Sequence, residues 1–124
     1  MDLKKVELSV YRPYAPVVLG IATTLEDALT VLRFAQQTMM QRYAEMEKHG
    51  VNDFMDLPSE EGDGPRQRLM VMVDEAAELL SPTGAKTDEG KADDQLKGEA
   101  LVIIGSIARL GRASGVHLVL AMQR

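Results

Sequence analysis

Five consecutive apolar residues, Leu69-Met70-Val71-Met72-Val73, break off abruptly into two carboxylates, Asp74-Glu75. An uninterrupted apolar run of this length predicts a strand covered on both faces, as in a parallel sheet flanked by helices. A second run, Val116-His117-Leu118-Val119-Leu120-Ala121, reads as another buried strand. Between them, Ala100 to Ala113 is helical by spacing, with Leu101, Ile104, Ile107, Ala108 and Leu110 on its apolar face and Gly115 to close it. Strand, helix, strand from Leu69 to Ala121 is a βαβ unit, for which a right-handed crossover is the rule. The fold class is therefore α/β.

The rest of the chain fits around that unit. Val6 to Tyr11 alternates apolar and polar residues before Pro13, and Pro16 to Ile21 is a short β-branched run, strand or extended segment. Thr24 predicts an N-cap, with Glu26 and Asp27 close to the positive end of the helix dipole. Apolar Leu25, Ala28, Leu29, Leu32, Ala35, Met39, Met40, Tyr43 and Met46 then recur at three- and four-residue steps, and Gly50 stops a long amphipathic helix. Asn52 to Gln67, with Glu60, Glu61 and Asp63 among glycine and proline, predicts an exposed loop rather than a metal site. Ala76 to Leu80 starts a short helix that Pro82 ends, and Ser81 to Lys97 is a surface loop or the solvated start of the next helix.

Composition narrows the function classes. At 124 residues, the chain can bury about two-thirds of its unfolded surface in one core. It has no cysteine, which excludes a disulfide scaffold, a zinc ribbon and a thiol nucleophile. Aromatic content of 4% without tryptophan argues against base stacking, and a net charge of -5 gives no global basic field. Neither a signal peptide nor an apolar run of the roughly 20 residues that span a bilayer is present, so the cytoplasm is the expected compartment.

The chemistry is concentrated where the strands end. Ligands of open α/β sheets bind beyond the carboxyl ends of the strands, where Asp74 and Glu75 emerge. Such a pair suits nucleoside-triphosphate hydrolysis: the first acid associates with Mg²⁺ and the second orients or deprotonates water. Acids opening a helix N-terminus are the plainer alternative. Gln123, at the exit of the second strand, can bridge a γ-phosphate and the attacking water, or be a polar strand exit without further role. His117, inside an apolar run, reads as a packed, hydrogen-bonded core residue, and the methionines as gap-filling core.

Four stretches together resemble the motor domain of the FtsK/SpoIIIE family, within the FtsK–HerA group of ATPases. Lys5 to Tyr11 resembles the segment after the family's second core strand. Met40-Gln41-Arg42-Tyr43-Ala44-Glu45-Met46 with Gly50-Val51 is similar to its RY..M…GV helix. Val71-Met72-Val73-Asp74-Glu75-Ala76-Ala77-Glu78 resembles its Walker B strand, and Ala108 to Arg124 its GRA.G.HL block, which usually ends in ATQR.

The resemblance implies a partial RecA-like P-loop NTPase, a three-layer fold with a mostly parallel sheet, using ATP and Mg²⁺. It further implies a homo-oligomeric ring, a hexamer, that moves double-stranded DNA. Carried over by position, Asp74 is the magnesium-associated acid, with Walker B at residues 70–75 and the sensor strand at 116–123. Glu75 is the catalytic base, Gln123 the γ-phosphate sensor, and Arg112, with Arg109 behind it, the arginine offered to a neighbouring subunit's nucleotide. Met122 stands where the family usually has threonine, which removes a hydroxyl beside the sensor. The stretch Ser81 to Lys97 is longer than in the chromosome motors and closer to phage or mobile-element relatives.

No G-x-x-x-x-G-K-[ST] occurs in the sequence. The expectation is the middle of a motor domain, not self-sufficient without a P-loop portion. Alone it would bind ATP weakly or not at all, and it would expose an unpaired edge at Val116 to Ala121 prone to self-association. The alternatives are a non-catalytic relic that docks on a full-length motor, and an unrelated α/β binding protein whose acid pair is structural.

Overall fold

Alternation in the first segment and β-branching in the second produce strands β1 (Lys5–Tyr11) and β2 (Pro16–Ala22). The 25-residue helix α1 (Leu25–His49) follows, then a 3₁₀ turn (Phe54–Asp56), β3 (Arg68–Asp74), the 27-residue helix α2 (Asp88–Ser114) and β4 (Val116–Ala121). The structure, a computed structural model, describes residues 5–11, 16–58, 67–74 and 87–121. Among them no helix is long and apolar enough to cross a membrane.

The strands form one four-stranded sheet in the order β2-β1-β3-β4. The α/β class and the partial RecA-like arrangement stand, but the sheet is mixed rather than mostly parallel. β1 runs antiparallel to both β2 and β3, and only β3 and β4 are parallel among the described strands. Four residues separate the antiparallel β1 and β2 in the sequence, whereas the parallel β3–β4 pair uses α2 as its crossover, completing the βαβ unit.

Both helices contribute to a single core. Val6, Leu8, Leu69, Val71, Val73 and Val116 from the sheet bury against Leu25, Ala28, Leu29, Leu32, Ala35 and Met39 of α1 and Ala100, Ile103, Ile104 and Ile107 of α2. Coverage of β3 on both faces is not found among the described residues. Leu69, Val71 and Val73 are buried while Met70 and Met72 are half-buried, because α1 and α2 pack side by side on the other face. β4 is likewise not a buried strand. It is the sheet edge, and burial fades from Val116 to the exposed Val119, Leu120 and Ala121. The unpaired edge expected there is present among the described residues.

Caps define the helix ends. Thr24 Oγ1 accepts from the Asp27 N–H at 3.1 Å, and Gly50 closes α1 at φ 65 with its N–H directed to Glu47 and Met46 carbonyls. Thr87 Oγ1 accepts from the Gly90 N–H at 3.0 Å, so α2 begins well before Ala100, within the stretch read as loop or solvated helix. Its buried stripe also differs in phase. Lys97, Ala100, Ile104, Ile107, Gly111 and Ser114 face inward, whereas Leu101, Ala108 and Leu110 are exposed. Met40 on α1 is exposed too.

The stripe shifts because α2 must approach β4 closely at its end. A Cβ on Gly111 would lie 2.1 Å from the Val116 carbonyl oxygen, and one on Gly115 would lie 2.4 Å from the Phe54 ring. Gly115 also adopts φ 71, which disfavours any side chain. Phe54 is wholly buried, in the segment read as an exposed loop, and packs with Met46 and Leu57 against Tyr43, Val51 and Ala113. Arg42 closes this end of the molecule: Nη1 donates to Ser114 O and Nη2 to Gln67 O, both at 2.7 Å, over the Phe54 ring at 5.1 Å. Tyr43 Oη donates to Leu110 O at 2.7 Å. The acidic loop of Glu60, Glu61 and Asp63 and the helix read over Ala76 to Leu80 lie outside the described residues.

Gly111→Ala is expected to destabilise the chain by about 1–3 kcal/mol, since the Val116 backbone must move. Gly105→Ala, in open space on the exposed side of the same helix, should stabilise it by about 0.5–1 kcal/mol. Denaturant midpoints measure both, and equal effects would contradict the close approach.

Candidate functional site

Two strand ends build the candidate site. Parallel pairing places Asp74 level with Ala121, and antiparallel pairing places it level with Lys5. Asp74, half-buried at the last position of β3, is therefore in the middle of the sheet's edge, between β1 and β4. Glu75 follows it directly and Gln123 comes two positions after Ala121. Both lie outside the described residues, as does Met122. What the structure brings level is the pair of strands that lead to them.

Mg²⁺ is held by one or two carboxylates together with phosphate oxygens and waters, rather than by an all-protein cage. No group of three or more His, Cys, Asp or Glu side chains gathers to hold a metal among the described residues. Asp74 supplies one carboxylate of the kind that donor set uses.

Arg112 is not brought to Asp74. It is exposed in the last turn of α2, beside the start of β4, whereas Asp74 is level with the end of that strand. Five strand steps separate Val116 from Ala121, about 17 Å along the sheet. Arg109 is exposed on the same helix. Arg112 lines an open groove of about 360 Å³ with His117, Ile107, Val116, Leu118 and Leu120.

His117 is half-buried rather than part of the core. Arg68 Nη1 donates to its Nε2 at 3.0 Å, and because a guanidinium only donates, the ring must keep Nε2 unprotonated. Arg68 also lies over the Phe54 ring, 5.2 Å from its centroid, as Arg42 does at 5.1 Å. Burial first, and then the positive charges of Arg68 and Arg42, hold the imidazole below its ordinary pKa of 6.5.

Arg42, Phe54 and Arg68 were not among the residues singled out by the sequence for a site. Arg42 stood out only as part of a motif, and Phe54, one of the chain's 2 phenylalanines and the one that lies in the polar stretch after α1, was a signal that could have been read.

A group whose folded pKa is depressed contributes stability that is complete above its unfolded value and is lost as pH falls. The urea midpoint should therefore drop as pH is lowered from 7.5 through 6.5 to 5.5, and His117→Asn should flatten that decline. An identical decline in His117→Asn would contradict the assigned Arg68–His117 contact.

Comparison with known proteins adds to this geometry. The family described as "FtsK/SpoIIIE family" matches residues 1–124. The chain is similar to the DNA translocase FtsK of Caldanaerobacter subterraneus subsp. tengcongensis, 28% identical over 124 residues, covering 100% of this chain and 16% of that protein. It is 32% identical over 127 residues to the DNA translocase FtsK of Helicobacter pylori (strain J99), covering 100% of this chain and 14% of the relative. A sporulation regulatory protein of Streptomyces azureus is 31% identical over 111 residues, 90% of this chain and 34% of its own length. The chain thus spans no more than about a third of these relatives. In fold it resembles the pCW3 conjugation coupling protein TcpA, solved as a monomer form with ATPgS, at a TM-score of 0.69 and 24% identity. That likeness covers 82% of this chain and 28% of the other.

Proposed function

We propose that this chain, which belongs to the FtsK/SpoIIIE family, supplies the Walker B and sensor portion of an ATP-driven motor that translocates double-stranded DNA. The observation that carries the proposal is the register of Asp74 with Ala121, which levels the strand leading into Glu75 with the strand leading to Gln123. Ligands of open α/β sheets bind beyond the strand ends, so a base and a phosphate-sensing amide that follow adjacent strands would meet the same nucleotide.

In this reading Asp74 would hold Mg²⁺. Mg²⁺, when bound, neutralises charge on the phosphate oxygens. Glu75 accepts the proton of the attacking water, Gln123 donates to the γ-phosphate, and ADP departs with inorganic phosphate as the other product. Arg112, far along β4 from Asp74, is suited to a neighbouring subunit's nucleotide rather than its own, which calls for a homo-oligomeric ring, a hexamer by family likeness. The sequence holds no phosphate-cradling G-x-x-x-x-G-K-[ST], so that loop must come from another stretch of polypeptide or a second chain. Contacts to double-stranded DNA belong to the assembled motor.

The 124 residues alone are expected to hydrolyse no ATP. With a P-loop-bearing polypeptide of the family fused or added, DNA-stimulated hydrolysis should appear. Glu75→Gln should lower it at least about 100-fold, and Arg112→Ala about 1,000-fold. Mixing those two inactive variants should restore part of the activity, because one subunit keeps its base and its neighbour keeps its arginine. Hydrolysis by the chain alone that Glu75→Gln abolishes would refute the need for a separate P-loop. No hydrolysis with the added polypeptide would favour a docking module without catalysis.

A further inference from the structure

Hydrophobic patterning pins a strand's register when only one face is apolar, because a one-residue slip then exchanges core for surface. β3 and β4 lack this protection. Leu69 to Val73 and Leu118 to Ala121 are apolar at every position, so sliding one past the other exchanges apolar for apolar. No tight turn fixes them either, since a 27-residue helix lies between. The observed ladder is nonetheless in step along its whole length, from Leu69 beside Val116 to Asp74 beside Ala121, and opens with the Leu69 N–H donating to Gly115 O at 2.8 Å.

The two carbonyls that Arg42 binds occupy a particular place in that ladder. Gln67 stands two residues before Leu69, and Ser114, the last residue of α2, two residues before Val116, so both carbonyls lie at the entrances of the two strands, just ahead of the first paired rung. The guanidinium donates to both at 2.7 Å, from a plane held over Phe54. Phe54 in turn packs where Gly115 has no side chain. A two-residue slip would separate the two carbonyls by about 6.6 Å along the strand direction, beyond the reach of one fork.

We infer that Arg42 is a positioning residue whose two-pronged hydrogen bonding at the strand entrances sets the register of β3 against β4, and through it the level of Asp74 with Ala121. Its consequence for catalysis rests on the function proposed above; the register itself does not. The nearby cations act otherwise: Arg68 engages the His117 ring, and Arg112 is exposed. Lysine at position 42 would keep the charge but lose the planar fork.

The absence of cysteine allows a direct reading of register. Met72 and Val119 are partners, on the face that leaves Met70 and Met72 half-buried. Under diamide, Met72→Cys/Val119→Cys should form its disulfide at least about tenfold faster than the slipped pair Met70→Cys/Val119→Cys. Introducing Arg42→Lys into both should bring the two rates to within about threefold of each other. Where Arg42→Lys does not fold by far-UV circular dichroism, Phe54→Leu, which removes the supporting ring, should erode the same ratio. An unchanged ratio in a folded Arg42→Lys chain, even one that melts at lower temperature, would overturn the proposal and leave Arg42 a stabilising contact. No nucleotide enters the measurement, so failure of the ATPase reading leaves it standing, and loss of register control leaves the ATPase reading intact.

Discussion

The passage from α2 into β4 through the single residue Gly115 governs the rest of the molecule. A helix that must turn into a strand in one step needs a left-handed residue at the turn and a bare backbone where it crosses the strand's first carbonyl. Gly115 at φ 71 and Gly111 against Val116 O satisfy these two demands. The space thus left is filled by Phe54, and the exposed carbonyls at the end of α2 are taken up by Arg42 and Tyr43 from α1. Remote parts of the sequence are therefore committed to one corner. By contrast, the surface ion pair between Arg33 and Glu99, which also joins α1 to α2, is solvent-exposed and of small energetic weight.

That corner clarifies a motif. Arg42, Tyr43, Met46, Gly50 and Val51 resemble a family signature on a helix far from the strand that carries the acids. Each has a mechanical task here: hydrogen bonds to Ser114, Gln67 and Leu110, packing on Phe54, and a left-handed cap. The signature belongs to the entrance of the parallel strands, and the proposed chemistry to their exit.

Elements set by local physics were legible in the sequence. Thr24 and Gly50 bounded α1 correctly, Gly115 closed α2, and both apolar runs became strands. Properties set by distant partners were not. The phase of α2 could not be read from its own periodicity, because Leu101 and Leu110 are as apolar as Ile103 and Ile107, and only the contact at Gly111 decides which side turns inward. Phe54 was hidden in polar surroundings, since its partners come from α1 and α2. The acid at the end of β3 was plain from the break in hydrophobicity, whereas the Arg68–His117 contact depends on strand pairing across 49 positions. For the same reason continuous apolarity in β3 suggested two covered faces, though it specifies only that neither face is polar.

The parallel pair β3–β4 is gripped at one end and open along its outer edge. β3 is held by β1 along its inner side, from Tyr11 beside Arg68 to Lys5 beside Asp74, whereas β4 pairs on its inner side alone among the described strands. Over the about 17 Å length of β4, a tilt of about 5° at its entrance would carry its exit about 1.5 Å sideways. The strand that could tilt from the glycine corner is therefore β4, and the shift would be largest at Ala121, level with Asp74.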